Sequence, residues 1–239
     1  MITLRTFMPM FGLADPSPFC MKAMALLKMS GIEHECVPGD PRQAPKGKIP
    51  WASDDGEIIA DSTFIRLHLE REHGIDFFPG VSVHDRAIGW AFEKMCEEHL
   101  YFCILFDRWM IDANFDKGPR RFFDQIPALM RPMVLAMVRR DIRHTLKGQG
   151  IGRHGHEEIV ELARHDFDAL ANFLGEKTYF LGDRLTGTDA VVHSFLAGAD
   201  AAFFDGPIRQ AVRAHDNLIA YIDRVNAIWW PGPTDKEVA

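Results

Sequence analysis

The sequence predicts a small mixed α/β unit over residues 1–80 and an all-helical unit over residues 81–239. Strand-like runs occur only before residue 61, where they alternate with short helical patterns. After Pro79-Gly80 the strand signals almost vanish and long helical periodicities take over. With 47% hydrophobic and 26% charged residues, the chain has the make-up of a soluble globular protein with a substantial core.

Each element follows from local chemistry. Residues 2–8 alternate in polarity and stop at Pro9, as a strand does. Residues 18–29 set Phe19, Ala23, Leu26 and Leu27 near one helical face, and Gly31 supplies the C-terminal stop. Residues 34–37 read as a second short strand, which makes the helix before them a crossover between parallel strands. Residues 51–53 and 57–60 flank Asp54-Asp55-Gly56, an antiparallel hairpin. Asp61-Ser62 opens a helix that runs to about His73 and is closed by Gly74. The order is β-α-β-β-β-α. Beyond Gly80, helices are expected over residues 83–114, 119–146, 156–174, 187–204 and 208–229. Pro127 and Pro132 should kink or divide the second, because each removes a helical hydrogen bond. The final PGPTDKEVA reads as a frayed tail.

Charge and composition exclude several classes. Lys plus Arg is 27 and Asp plus Glu is 34, for a formal charge of −7. Nucleic-acid binding needs a basic surface, so it is not expected. No apolar run approaches the roughly 18–20 residues that cross a bilayer. The longest, residues 190–204, is interrupted by His193 and Asp200. The opening MITLRTF has no basic region leading into an apolar signal core. Cys20, Cys36, Cys96 and Cys103 form no CxxC pair and are too few for a disulfide scaffold. A cytoplasmic protein is expected.

Three short segments carry candidate chemistry. In Asp15-Pro16-Ser17-Pro18-Phe19-Cys20, Ser17 is a preferred N-cap and Pro18 suits the first helical position. A helix start also offers free N–H groups and partial positive charge, which stabilise a thiolate. In Ala44-Pro45-Lys46-Gly47-Lys48-Ile49-Pro50, a cis turn at Pro50 would leave the Ile49 backbone free to pair with an extended peptide ligand. At Asp61-Ser62, a carboxylate, a hydroxyl and free N–H groups suit a ligand bearing α-amino and α-carboxylate groups. Capping explains Ser17 and Asp61 equally well when each is taken alone.

Taken as a set, these segments resemble the thioredoxin-like N-terminal domain of the glutathione transferase superfamily, and the helical remainder resembles that superfamily's second domain. Phe180-Leu181-Gly182-Asp183-Arg184-Leu185-Thr186-Gly187-Thr188-Asp189 looks like its buried capping box, with Thr186 capping a core helix and Asp189 at the third position. Within the superfamily, Pro16-Ser17-Pro18-Phe19-Cys20, Pro45-Lys46-Gly47-Lys48-Ile49-Pro50, Gly56 through Ser62 and Gly150-Ile151-Gly152-Arg153-His154 are most similar to the failed-axon-connections and metaxin-like group. The resemblance implies an α+β thioredoxin-like domain followed by an all-α domain, glutathione as co-substrate, and a homodimer; no metal is expected, because no cysteine or carboxylate cluster completes a ligand set beside His154 and His156. It assigns Ser17 to the thiol, Ile49 and cis Pro50 to the cysteinyl part, Asp61 and Ser62 to the γ-glutamyl end, and Lys48 to a glutathione carboxylate. Ser17 stands where cysteine-type classes carry a nucleophile, and residues 1–17 contain no Tyr activator. Serine would then donate a hydrogen bond rather than attack. Lowering a thiol pKa of about 8.5 by about two units needs roughly 2.7 kcal/mol. One hydroxyl bond to the anion plus a helix N-terminus is of that order.

The implied activity is conjugation or transformation of a small hydrophobic electrophile. A binding or assembly role of the metaxin type is the alternative, since a fold can outlive its chemistry. Weak thiol reductase or peroxidase activity through Cys20 is a third, although a buried inert cysteine suits that helix position better. Cys96 and Cys103, seven apart, read as core. His154 and His156 have a metal-compatible spacing but lack a completing ligand set. The aromatic-rich residues 90–109 read as core, with some members free to line a cleft between the domains.

Overall fold

A computed structural model describes residues 1–231; the end of the expected tail, residues 232–239, lies outside them. A four-stranded mixed sheet has the order β2-β1-β3-β4. β1 (Ile2–Thr6) pairs in parallel with β2 (His34–Pro38). It pairs antiparallel with β3 (Trp51–Asp54), which forms a hairpin with β4 (Glu57–Ile59). The alternation in β1 is a burial alternation, with Ile2, Leu4 and Thr6 buried and Thr3 and Arg5 on the other face. At the hairpin tip Asp55 (φ 44°) and Gly56 (φ 89°) both take positive φ, as a two-residue turn between right-twisted strands requires.

Two helices accompany the sheet. α1 (Pro18–Ser30) is capped by Ser17, starts with proline and ends at Gly31 in the left-handed region (φ 68°). α2 (Ser62–Glu72) is capped by Asp61. These elements reproduce the expected β-α-β-β-β-α order.

The helical part departs from the expected spans in four places. Residues 83–114 form α3 (Val83–Met95), a π-helical turn (Cys96–Leu100), α4 (Tyr101–Met110) and α5 (Asp112–Lys117). The π turn turns Cys96, Glu97 and Leu100 inward together, and Ile111 (ψ 117°) ends α4. The expected helix over 119–146 is a 3-10 turn (Pro119–Phe123), a non-helical stretch around Pro127, and α6 (Arg131–Gln149), whose first turn holds Pro132. α7 (His156–Leu174) matches its expected span. α8 (Gly187–Asp200) stops before 204 because Ala201 leaves helical geometry (ψ 112°). The expected 208–229 helix is two, α9 (Pro207–Arg213) and α10 (Asp216–Trp229), separated at extended His215.

α8 is the axis of the molecule. Every residue from Gly187 to Ala199 is buried, and the helix packs on α1, α3, α9 and α10. Its start is held by Asp189, which accepts from the N–H of Phe180 and Thr186 and from the hydroxyls of Thr186 and Tyr221 at 2.8–3.0 Å. Gly89 lets α3 approach closely, since a Cβ there would lie 2.5 Å from Thr188 Oγ1. A buried ionic network ties sheet-side helices to the bundle. Lys22 Nζ on α1 lies 2.6 Å from Glu97 Oε1, which also pairs with Lys94 through its other oxygen. Arg66 on α2 meets Glu93 on α3 at 2.8 Å, and Glu93 accepts from Thr188 on α8 at 2.8 Å.

Candidate functional site

Strand directions gather three segments at one end of the sheet. β1 runs toward that end, β3 runs back from it, and β4 returns to it. The loop 7–17 after β1, Ile49-Pro50 before β3 and Asp61-Ser62 after β4 therefore share it. α1 and α2 both begin there, and Lys22 Nζ on α1 donates to Thr63 Oγ1 on α2 at 2.9 Å.

Ser17 is partly buried and has extended backbone (φ −97°, ψ 121°). Its Oγ accepts a long 3.4 Å bond from the Cys20 N–H. The hydroxyl also stands within reach of the buried Cys20 thiol, from which its proton can turn to a bound ligand. No acidic residue stands in the first turn of α1, although the Asp15 carboxyl just before it accepts from the Ser17 N–H.

Asp15 fixes this corner from below. It is fully buried and accepts from the N–H of Phe7 at 2.8 Å and of Ser17 at 2.9 Å. Burial pushes its pKa up to about 7, against the pull of those backbone bonds. Arg108 on α4 donates to the carbonyls of Pro16 at 3.0 Å and Gly198 at 2.7 Å, tying the loop to α8. Burial draws its pKa down to about 10. Phe11 in the same loop stacks on Phe203 at 4.8 Å and meets Phe204 and Phe122 edge-on. Phe122 also approaches Phe7 and Trp109. Phe7 and Phe122 stay exposed, so this aromatic wall opens to solvent beside the Ser17 loop.

The other residues singled out in the sequence fall as follows. The Ile49–Pro50 peptide is cis, and the Ile49 N–H and C=O make no hydrogen bond among the described residues. Lys48 is exposed. Asp61, joined to Ala60 by a cis peptide, accepts from the Thr63 N–H at 3.0 Å, while Ser62 is buried. Lys46, not Lys48, reaches Asp61, at 3.8 Å, and lies over the Phe64 ring. Cys20 is fully buried; burial, then the charge of Asp15, pushes its thiol well above the usual range. Cys96 and Cys103 are buried. His154 and His156 turn to different partners, Glu158 at 3.8 Å and Asp107 at 3.2 Å. Trp90 is half exposed rather than core.

Sequence reasoning missed Asp15, Arg108, Lys46 and Phe11. Asp15 had a local signal: an acid two residues before Ser17 accepts its N–H in an Asx turn. The other three act through partners distant in sequence or through geometry that no motif records.

A mixed four-stranded sheet with its helices, followed by a helical domain, is the glutathione transferase fold. A beta-etherase from Sphingobium sp. strain SYK-6 superposes with a TM-score of 0.65 at 18% identity, over 99% of this chain and 97% of that one. A glutathione S-transferase from Methylobacterium radiotolerans, solved with glutathione sulfonate, gives 0.60 at 19%, over 95% and 90%. The glutathione S-transferase N-terminal domain family matches residues 18–114, and the C-terminal domain family matches residues 163–225. The isoprene-epoxide–glutathione S-transferase of Rhodococcus sp. (strain AD45) is 32% identical over 94% of this chain and 98% of that protein. The chain belongs to the glutathione S-transferase family. Failed axon connections of Drosophila melanogaster is 29% identical over 90% of this chain, which spans 54% of that protein. A metaxin-1 homolog from the same fly is 23% identical over 90% of this chain and 68% of that protein.

Proposed function

We propose that this chain conjugates or transforms a small hydrophobic electrophile with glutathione, using Ser17 as hydrogen-bond donor to the thiolate. The observation that carries the reading is the Ser17 hydroxyl at the start of α1, beside an open aromatic wall. When bound, glutathione supplies the thiol nucleophile. Ser17 and the helix start lower the cost of its charged form. Ile49 pairs through its free backbone groups with the cysteinyl unit, next to Pro50. Asp61 and Ser62 at the start of α2 hold the γ-glutamyl end, and Lys48 pairs with a glutathione carboxylate. Phe7, Phe11 and Phe122 shelter the apolar electrophile; an isoprene-type epoxide, named in the Rhodococcus relative, is the first substrate to try. The protein works as a cytoplasmic homodimer of domains 1–80 and 81–239, and light scattering should give twice the chain mass.

Ser17→Ala is expected to raise the bound thiol's pKa and reduce kcat/KM by roughly 10- to 150-fold, equivalent to about 1.5–3 kcal/mol. Because the cap itself contributes about 1 kcal/mol of stability, thermal melts accompany the kinetics. Cys20→Ala should keep the activity, consistent with a buried thiol whose ionisation is disfavoured. If Cys20→Ala abolishes turnover and Ser17→Ala does not, the redox reading replaces this one. The similarity to failed axon connections and a metaxin-1 homolog favours a second reading, a binding or assembly protein without appreciable catalysis. Retention on immobilised glutathione with competitive elution separates the two. Failure to bind glutathione at millimolar concentration selects assembly.

A further inference from the structure

At the opposite end of the sheet from Ser17, Asp54, His68 and His73 converge. Asp54 closes β3 at the hairpin, His68 stands in the last turns of α2, and His73 is that helix's C-cap (φ −109°, ψ 0°). The Nε2 atoms of His68 and His73 lie 2.8 Å and 2.6 Å from the same oxygen, Asp54 Oδ2. Their ligand atoms all fall within 4.8 Å of one another, the one such grouping among the described residues. Asp54 and His68 are buried, and His73 is 30% exposed at the mouth.

Hydrogen bonding alone accounts for this cluster poorly. For one carboxylate oxygen to accept from both imidazoles, each neutral ring must carry its proton on Nε2. His68 Nδ1 is then an acceptor, and it is buried with no partner. Binding a metal through Nε2 reverses the tautomer. Nδ1 then carries the proton and needs an acceptor, and the Glu57 carboxylate lies 3.9 Å away on an exposed side chain. That is the carboxylate–histidine–metal relay by which bound imidazoles are oriented.

We propose that Asp54, His68 and His73 form a zinc site, with Glu57 as outer partner of His68. Two imidazole nitrogens, one carboxylate oxygen and an open fourth position suit Zn²⁺, at bond lengths of about 2.0–2.2 Å. Tetrahedral coordination sets N···O separations of about 3.3 Å, so the ligands need only part by about half an ångström or slightly more. The metal clamps the β3–β4 hairpin to the end of α2. That lies a full helix length, about 16 Å, from the start of α2 at the candidate glutathione site, so the metal takes no part in chemistry at Ser17. The pair that the sequence spacing singled out, His154 and His156, takes no part.

The test uses the purified full chain, stripped with chelator and titrated with zinc against a chromophoric competitor at pH 7.5. One equivalent should bind tightly, raise Tm, and give tetrahedral cobalt(II) absorption when cobalt replaces zinc. His73→Gln, at the solvent mouth, should weaken binding about 100-fold while its metal-free melt stays near that of the parent. Glu57→Gln should cost about 10- to 100-fold, as outer partners do. A combined His154→Gln/His156→Gln variant should titrate like the parent. An unchanged equivalent in His73→Gln, or no saturable binding by the parent below about 100 μM zinc, the scale of a weak surface site, overturns the proposal.

Discussion

Glu97→Gln is expected to lower the unfolding free energy by about 3–5 kcal/mol, the cost of leaving a buried charge without its partner. Lys22 is fully buried in α1, and among the described residues its ammonium has only Glu97 Oε1 and the Thr63 hydroxyl within hydrogen-bond reach. Burial already draws the Lys22 pKa down, and the Glu97 charge pulls it back up. With an amide at 97, Lys22 must either stay charged without an anion or shed its proton at neutral pH; both destabilise the folded state. Lys94, which shares Glu97, is partly exposed and returns to water at little cost. The control is Lys22→Met with Glu97→Gln, because replacing both ends of a buried pair is often neutral or stabilising. Urea denaturation of the parent, single and double variants reads the coupling. A loss under about 1 kcal/mol in the single variant would mean that the pair is not desolvated as its burial indicates.

That ion pair also marks where reading the sequence runs out. α1 was legible because its signals are local: Ser17 caps, Pro18 starts and Gly31 stops. The hairpin was legible for the same reason, since Asp55-Gly56 suits the positive φ its turn needs. The helix breaks at residues 96–100, 111 and 201 have no such local signals. The π turn accompanies Glu97 facing Lys22, 75 positions away, and the stop after Asp200 lets Phe203 and Phe204 fold over Phe11. Pro127 and Pro132 announced a division in the expected 119–146 helix. Where it fell depended on Pro132 finding a first-turn position.

The candidate site divides in the same way. Ser17, Ile49-Pro50 and Asp61-Ser62 were found because each sits in a short motif at an element boundary. Strand direction then gathers them, and β1, β3 and β4 were all readable. Arg108 bonds Pro16 across 92 positions, and no spacing rule reaches that far. His68 and His73 are five apart, a spacing that an unbroken helix would splay. Only the C-cap geometry at His73 brings both rings to Asp54.

Asp15 should contribute a stability that falls as pH rises toward neutrality, and Asp15→Asn should remove that contribution. The folded chain holds the Asp15 proton up to about pH 7, whereas an unfolded aspartate releases it near the usual carboxylate value of about 4. Between those limits the native state binds more protons, so stability is full at the acid end and is lost as pH climbs through about 7. The span of about three pKa units corresponds to at most about 4 kcal/mol. His193 works in the opposite sense. It is fully buried, and burial lowers its pKa to about 4, so its contribution is present near neutrality and lost as pH falls below about 6.5. In the parent the two slopes largely offset each other between pH 4 and 6.5. Asp15→Asn should therefore tilt the curve upward relative to the parent over that window, toward the His193 slope, while Asp107 and Asp189, whose carboxyls burial also raises, act alike in both proteins. An amide also places a donor against the N–H of Phe7 or Ser17, but that cost is independent of pH and leaves the slope readable. Urea midpoints at half-unit steps from pH 4.5 to 8 are the measurement. Parallel curves for parent and variant would show that Asp15 is ionised throughout, held by its two backbone donors against the pull of burial.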